Sequence, residues 1–314
     1  MISPPFARAA IVGATGATGI ALAAELAGAG IGVRAIARRA EALARLFPSA
    51  AVEKTPADAR DADALARAIA GCDLVVDCIG LPAHAMHEHA ITARALAAAV
   101  KGTGARLLQV SSFWAYLPLR RPDLDESHPR EGGNAYIAAR RAAEDILQAA
   151  GAAIVNLPDF FGPHVAASAL QNPLADAARG KAMNWIGPKS LAREHIFVPD
   201  AMRLVAALAR RPEAYGERWI FPGAGPLTGA EAAAIASRHL GRAVKLRTAG
   251  LGLMRVVSLF NRAAREFLPM VPHYLQPIRY DAAKLARLIG PPQTTPYEKA
   301  IPATLDWLKA HAPS

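Results

Sequence analysis

The run Ile11-Val12-Gly13-Ala14-Thr15-Gly16-Ala17-Thr18-Gly19 limits what this chain can fold into more than any other stretch of it. Its glycines stand three apart, after a β-branched strand pattern and at the start of an Ala-rich helical one. A turn of this kind leaves backbone N–H groups free at a helix N-terminus, where the helix dipole is positive, and glycine lets a ligand come close to the backbone. Alone it is an ordinary strand-to-helix connection; inside a βαβ unit it is a cradle for a dinucleotide diphosphate.

The sequence around it builds such units. Apolar runs at Ala9–Val12, Gly32–Ile36, Ala51–Lys54, Leu74–Cys78, Arg106–Val110 and Ala153–Leu157 predict strands. Helical patterns at Thr18–Ala29, Ala40–Phe47, Asp61–Ile69, His84–Val100 and Tyr136–Ala150 separate them, each long enough to cross between parallel strands. The expected fold class is α/β, a doubly wound parallel sheet of Rossmann type with a smaller, mostly C-terminal cap. The dinucleotide-binding domain is expected over residues 1–160, with strands near 195–199 and 218–222 completing its sheet. Residues 161–194 and 223–314, where the strand-helix rhythm breaks, are expected to build the substrate-binding cap.

At 314 residues, 53% hydrophobic and 20% charged, the chain can bury a sizeable core, which excludes disordered and fibrous classes. Its net charge of +10 is uneven: residues 1–157 hold 16 basic and 15 acidic side chains, residues 158–314 hold 20 and 11. A basic cap suits an anionic or partly hydrophobic small molecule ahead of a membrane surface. Nucleic acid is not expected, since there are no zinc-ligand spacings and only 6% aromatics. Cys72 and Cys78, on one strand, would lie about 20 Å apart, too far for a disulfide, which fits a reducing cytoplasm. The apolar segment Ala9–Ala24 is too rich in glycine and threonine for a signal peptide, and no apolar run is long enough to span a bilayer.

The end of the second strand selects the cofactor. NAD sites usually place a carboxylate there and NADP sites an arginine for the 2′-phosphate. Here Val33-Arg34-Ala35-Ile36-Ala37-Arg38-Arg39 carries no acid before Glu41, so Arg38 is expected to take the phosphate, with Arg34 or Arg39 assisting. NADP is the expected cofactor, NAD the alternative.

Further motifs join the glycine run: Asp58 in Pro56-Ala57-Asp58-Ala59-Arg60-Asp61, Ser111-Ser112-Phe113-Trp114-Ala115-Tyr116, and Tyr136-x-x-x-Arg140 followed by Glu144. Together they resemble the extended or atypical short-chain dehydrogenase/reductase family, the NAD-dependent epimerase/dehydratase type. Phe161-Gly162-Pro163, the segment from His195 to Asp200 and Thr295-Pro296-Tyr297 carry the resemblance over nearly the whole chain. It implies hydride transfer between NADP(H) and a carbonyl or alcohol. Tyr136 would exchange a proton with the substrate oxygen, Ser112 would orient that oxygen, and Asp58 would contact the adenine amino group. Cofactor contacts are expected from Gly13, Thr15, Gly16, Ala17, Thr18, Gly19, Arg38, Arg39, Asp58, Ile79, Gly80 and Leu157, and no metal is expected.

Position 140 departs from the family pattern, which has lysine there. Arg140 shares a helical face with Tyr136, so its fixed charge can still favour a tyrosinate, but its planar fork cannot copy an ammonium seated between ribose hydroxyls. The alternative function is therefore an NADPH-binding redox-sensing or assembly protein with little or no turnover. Asp159 stands where nucleotide-sugar members usually carry asparagine and would repel a diphosphate, which ranks an epimerase or dehydratase lower.

Trp114, Asp159, Phe160, His164 and His195 are expected pocket walls from their loop positions, and Phe267–Leu275 an apolar wall. His84, His87 and His89 do not share one helical face and are not read as a metal site. Arg141 and Glu144 are read as helix surface. Leu251–Leu268 reads as an amphipathic cap helix whose apolar face closes over a neighbouring core while its arginines stay wet; a membrane surface is the lesser alternative. The chain is expected to be a monomer, or a homodimer paired through Ala-rich helices.

Overall fold

The computed structural model describes residues 6–311. Its central sheet has seven parallel strands: β1 (Arg8–Val12), β2 (Gly32–Ala37), β3 (Val52–Pro56), β4 (Leu74–Asp77), β5 (Arg106–Ser112), β7 (Ala153–Leu157) and β11 (Arg218–Ile220). They lie in the order β3-β2-β1-β4-β5-β7-β11, so the winding reverses between β1 and β4 and leaves a crevice at the strands' carboxyl ends. Every residue of β4 and β7 is buried, as a parallel strand covered on both faces requires. On one face Leu22 of α1 (Ala17–Gly28), Leu43 of α2 (Ala40–Leu46) and Val205 of α7 (Val198–Ala209) share a core with Ile11 and Val33. On the other, Leu65 of α3 (Ala62–Ile69), Leu96 of α4 (His89–Val100) and Leu147 of α5 (Ala135–Ala149) pack on Val12, Ile36 and Val75. The alternation of strand side chains between faces separates these two cores.

Of the two strands expected to complete the sheet, only β11 does so. β10 (Arg193–Phe197) instead pairs with β8 (Asp159–Phe161) and β12 (Pro226–Leu227) in a separate three-stranded sheet. The chain then turns helical at Val198, because Pro199 in the first turn has the φ a helix needs and no N–H to lose there. Asp200 fixes this start, accepting from Thr295 N and Oγ1 and from Arg203 Nη2.

In the cap, α6 (Gln171–Ala178), α8 (Gly229–Leu240) and α12 (Tyr297–Ala310) enclose the fully buried Trp185 of β9 (Met183–Ile186), which pairs with β13 (Leu246–Ala249). Thr228 and Glu231 cap α8 reciprocally. β6 (Asp123–Leu124) and β14 (Arg279–Tyr280) form a short parallel pair, and α11 (Ala283–Ile289) returns Leu285 to the core beside α7.

The expected continuous helix over 251–268 is broken at Asn261 into α9 (Leu251–Phe260) and α10 (Arg262–Phe267), Asn261 Oδ1 accepting from Ala264 N. Its arginines stay exposed as expected, but its apolar face is not covered. Leu253, Val256, Leu259 and Phe260 are exposed and Ser258 is the buried residue of α9, while Arg265 turns back to donate to the carbonyls of Ser258 and Leu259. The pattern establishes that the faces differ; which one meets the protein depends on what the cap offers as a neighbour.

Cys72 and Cys78 are buried and unpaired. Among the described residues no group of three His, Cys, Asp or Glu could hold a metal ion, and no helix is long and apolar enough to cross a membrane.

Candidate cofactor and substrate cavity

A cavity of about 1270 Å³ runs along the carboxyl ends of β1, β2, β4 and β5 and under the cap. Gly13, Thr15, Gly16, Ala17 and Thr18 line it, together with Arg38, Arg39, Asp58, Ile79, Gly80, Ser112 and Arg140. Each loop glycine has its own cause. Gly13 has φ +82°, and a Cβ there would stand 2.9 Å from the backbone of Cys78 and Ile79. A Cβ on Gly19 would stand 2.6 Å from Ala14 Cα, so the third glycine lets α1 lie against the loop rather than lining the cavity. A Cβ on Gly16 would meet only ordinary contacts inside the protein, so glycine there keeps the cavity side open. α1 begins without a side-chain cap, which leaves its first-turn N–H groups for a ligand. These features fit a dinucleotide diphosphate.

At the far end of β2, Arg38 and Arg39 are exposed at the cavity. The nearby Asp58 is engaged by Arg60, whose Nη2 lies 2.7 Å and Nε 3.1 Å from its oxygens, and this pairing holds its carboxyl below the usual range. Arg60 also lines the cavity; its place two residues after Asp58 was the sequence signal for it. Arg34 does not assist. It sits mid-strand, about 13 Å of extended chain short of Arg38, and its guanidinium is spent on the Ala68 and Ala70 carbonyls and on Glu53. Leu157 is fully buried core and not a lining residue.

Towards the cap the cavity holds Ser112, Arg140, Trp114, Asp159, Phe160, His164 and Tyr274. Arg140 is buried, its Nε has no partner among the described residues, and burial lowers its pKa, with Glu144 and Asp77 opposing. Beside it, burial and then the Arg140 charge push His89 down to about 2, so that imidazole stays neutral. Tyr136 is not brought to the cavity wall; it is half-buried in the first turn of α5, against the cluster containing Phe113, Ile137 and Tyr274. The phenol that does line the cavity is Tyr274: its hydroxyl accepts from Trp114 Nε1 at 3.0 Å and donates to Asp159 Oδ1 at 2.9 Å. Burial raises Asp159 to about 6, opposed by the Arg193 charge. Arg193 is buried too, donating to the carbonyls of Tyr274 and Ile186 with its guanidinium over the Trp185 and Tyr274 rings. Tyr274 lies in the segment read as an apolar wall, but nothing in its local sequence distinguishes it from a packing tyrosine.

Three expectations are corrected here. Glu144 is not surface: it is fully buried and accepts from Ser111 Oγ, Asn156 Nδ2 and Arg130 Nη2. Arg141 donates to the carbonyls of Ala115, Leu117, Glu131 and Gly132, tying α5 to the loops beside it. His195 is not a pocket wall, for its ring is buried against Trp185 and does not line the cavity.

Residues 13–155 match the family model described as NAD(P)H-binding. This stretch is thus similar to NAD(P)H-binding domains, and the whole chain shares its fold with solved NAD-dependent epimerases and dehydratases. An epimerase from Methanothermobacter thermautotrophicus is similar at TM-score 0.80 and 17% identity, over 96% of this chain and 92% of that one. UDP-glucuronic acid 4-epimerase from Bacillus cereus, solved with UDP-glucuronic acid and NAD, is similar at TM-score 0.80 and 14% identity, over 96% and 99%. dTDP-glucose 4,6-dehydratase from Streptomyces venezuelae, solved with NAD, is similar at 0.78 and 18%, over 97% of each chain. No curated protein matches the sequence.

Proposed function

We propose that this chain is an NADP(H)-dependent oxidoreductase acting on a carbonyl or alcohol substrate held in the cap half of the cavity. One observation carries the reading: a single cavity joins the glycine loop and the Arg38–Arg39 end of β2 to Ser112 and Arg140. Gly13 to Thr18 would hold the diphosphate, and Arg38 with Arg39 the 2′-phosphate, since the nearby Asp58 is already neutralised by Arg60. When bound, the nicotinamide supplies or accepts the hydride. Ser112 Oγ accepts from Trp114 N at 3.3 Å, which leaves its own proton to donate to the substrate oxygen. Tyr136, which packs beside Phe113 and Ile137 instead of lining the cavity, would have to turn its hydroxyl inward to pass a proton to that oxygen, with the Arg140 charge one helical turn away favouring the tyrosinate.

Tyr274 supports a second reading of the proton donor, because it lines the cavity and its hydroxyl is hydrogen-bonded to Asp159 and Trp114, which line it too. There Tyr274 Oη gives its proton to the substrate oxygen, and Asp159, when protonated, restores it. The Asp159 carboxylate also argues against a sugar diphosphate in this half of the cavity.

NADPH oxidation across a panel of carbonyl compounds tests the proposal. Tyr136→Phe is expected to lower kcat by roughly a hundredfold or more while NADPH affinity holds. If Tyr274→Phe has that effect and Tyr136→Phe does not, Tyr274 is the donor. Tight NADPH binding with no turnover on any substrate would favour the redox-sensing or assembly alternative.

A further inference from the structure

Five of the large apolar side chains that the protein leaves exposed sit on one helix. Leu253, Val256, Val257 and Phe260 fall at i, i+3, i+4 and i+7 of α9, a continuous stripe that Leu259 flanks. Phe260 is 87% exposed and Leu259 66%, while Ser258, on the opposite side, is buried. An apolar stripe of this spacing normally faces a core; turned to water in one patch, it marks a contact surface.

The charge around the stripe selects the partner. From Ala232 to Arg265 the chain carries seven Lys and Arg and no Asp or Glu. Arg255 and Arg262 are exposed beside the stripe. The nearest acid, Glu266, is already paired with Arg262 at 2.9 Å and faces His84 at 3.8 Å. A second copy seated here across a two-fold axis would set Arg255 against its own image, and Glu266, the nearest acid in sequence, is already taken by Arg262. A protein partner would need an acidic rim around an apolar centre. A bilayer of anionic phospholipid meets both features at once, taking the stripe at the level of its acyl chains and the arginines at its phosphates.

We propose that α9 docks this protein on an anionic phospholipid surface. Leu253, Met254 and Val257 also line the cavity, so docking sets this wall of the cavity against the bilayer. The inference goes beyond the cofactor and hydride-transfer reading and does not depend on it.

Sedimentation of the full chain with vesicles of phosphatidylcholine alone, and of phosphatidylcholine mixed with phosphatidylglycerol, tests it. The protein is expected to pellet with the mixed vesicles and far less with the neutral ones, more weakly as salt rises. The double variant Leu259→Glu, Phe260→Glu is expected to lose vesicle binding by roughly tenfold or more, since each side chain would have to bury a carboxylate. Both positions are exposed, so NADPH binding should be unchanged and serves as the check on folding. Absence of pelleting with either vesicle, or a double variant that pellets as the wild type does, would overturn the proposal. Equal binding to both vesicles would overturn its anionic part. A wild-type dimer in light scattering that the double variant makes monomeric, without vesicle binding, would show that a second copy covers the stripe instead.

Discussion

Asp77, at the carboxyl end of β4, is a fully enclosed carboxyl that burial pushes up to about 6, although Ile79 N and Gln109 Nε2 both donate to it. Its folded pKa lies above the unfolded value of about 4, so the native state holds this proton more tightly than the unfolded chain does. The stability it contributes is full below about pH 4 and is lost as pH rises through about 6. Asp77→Asn should therefore flatten the fall of the urea midpoint between those pH values. Asp159, also raised to about 6, would keep a slope of its own. The substitution is sterically mild, because Gln109 Oε1 has no partner and a flipped Gln109 amide would accept from the new Asn Nδ2. An unchanged slope would show that Asp77 does not titrate in this range. The same scale explains Arg34: a basic residue near a phosphate site reads like a ligand until its distance from the strand end and its carbonyl partners are known.

Glu144 works between elements. Its carboxylate receives Ser111 from β5, Asn156 from β7 and Arg130 from the segment before α5, so it fastens α5 across two neighbouring strands. Glu144→Ala would remove the acceptor of Ser111 Oγ and one of two acceptors from both Arg130, which keeps Asp145, and Asn156, which keeps the Ser112 carbonyl, and should cost roughly 2–4 kcal/mol in chemical denaturation, with Glu144→Gln losing less. A loss under about 1 kcal/mol would mean that water or a shifted Arg130 replaces it. The elements themselves were largely legible: the six predicted strands and their crossover helices follow from β-branched runs and Ala/Leu periodicity, and the glycine loop lies where the spacing put it. What the sequence could not supply was each face's partner. Glu144 at helical spacing from Arg140 looks like a solvated ion-pair position, and its real partners are 33, 12 and 14 residues away. α9 carries a clear stripe whose orientation depends on contacts made elsewhere in the cap. β10 was recognised as a strand, but its pairing with β8 rather than the main sheet is a long-range choice.

Across the whole molecule, the charge imbalance divides by place. Arg38 and Arg39, with Arg60 beside them, face the cavity at the end of β2, inside a half that is otherwise balanced, whereas the excess of the second half is densest in the sequence from α8 to α10, the stretch that holds the exposed stripe. The basic residues at the cavity and those of the cap are thus separate in the chain. The position of the glycine loop on the candidate cavity was legible where backbone geometry fixes it, as at Gly13 and Gly16. The candidate site was less legible where the cap folds over, since Tyr274 reaches the cavity from a segment with no motif. The most direct measurement is fluorescence titration of NADPH and NADH against the wild type and Arg38→Ala. The wild type should bind NADPH more tightly than NADH, and Arg38→Ala should weaken NADPH by roughly ten- to a hundredfold, the loss of a charge-assisted phosphate contact, while NADH changes little. Equal affinity for the two cofactors in the wild type, or an equal loss of both in Arg38→Ala, would contradict the assignment.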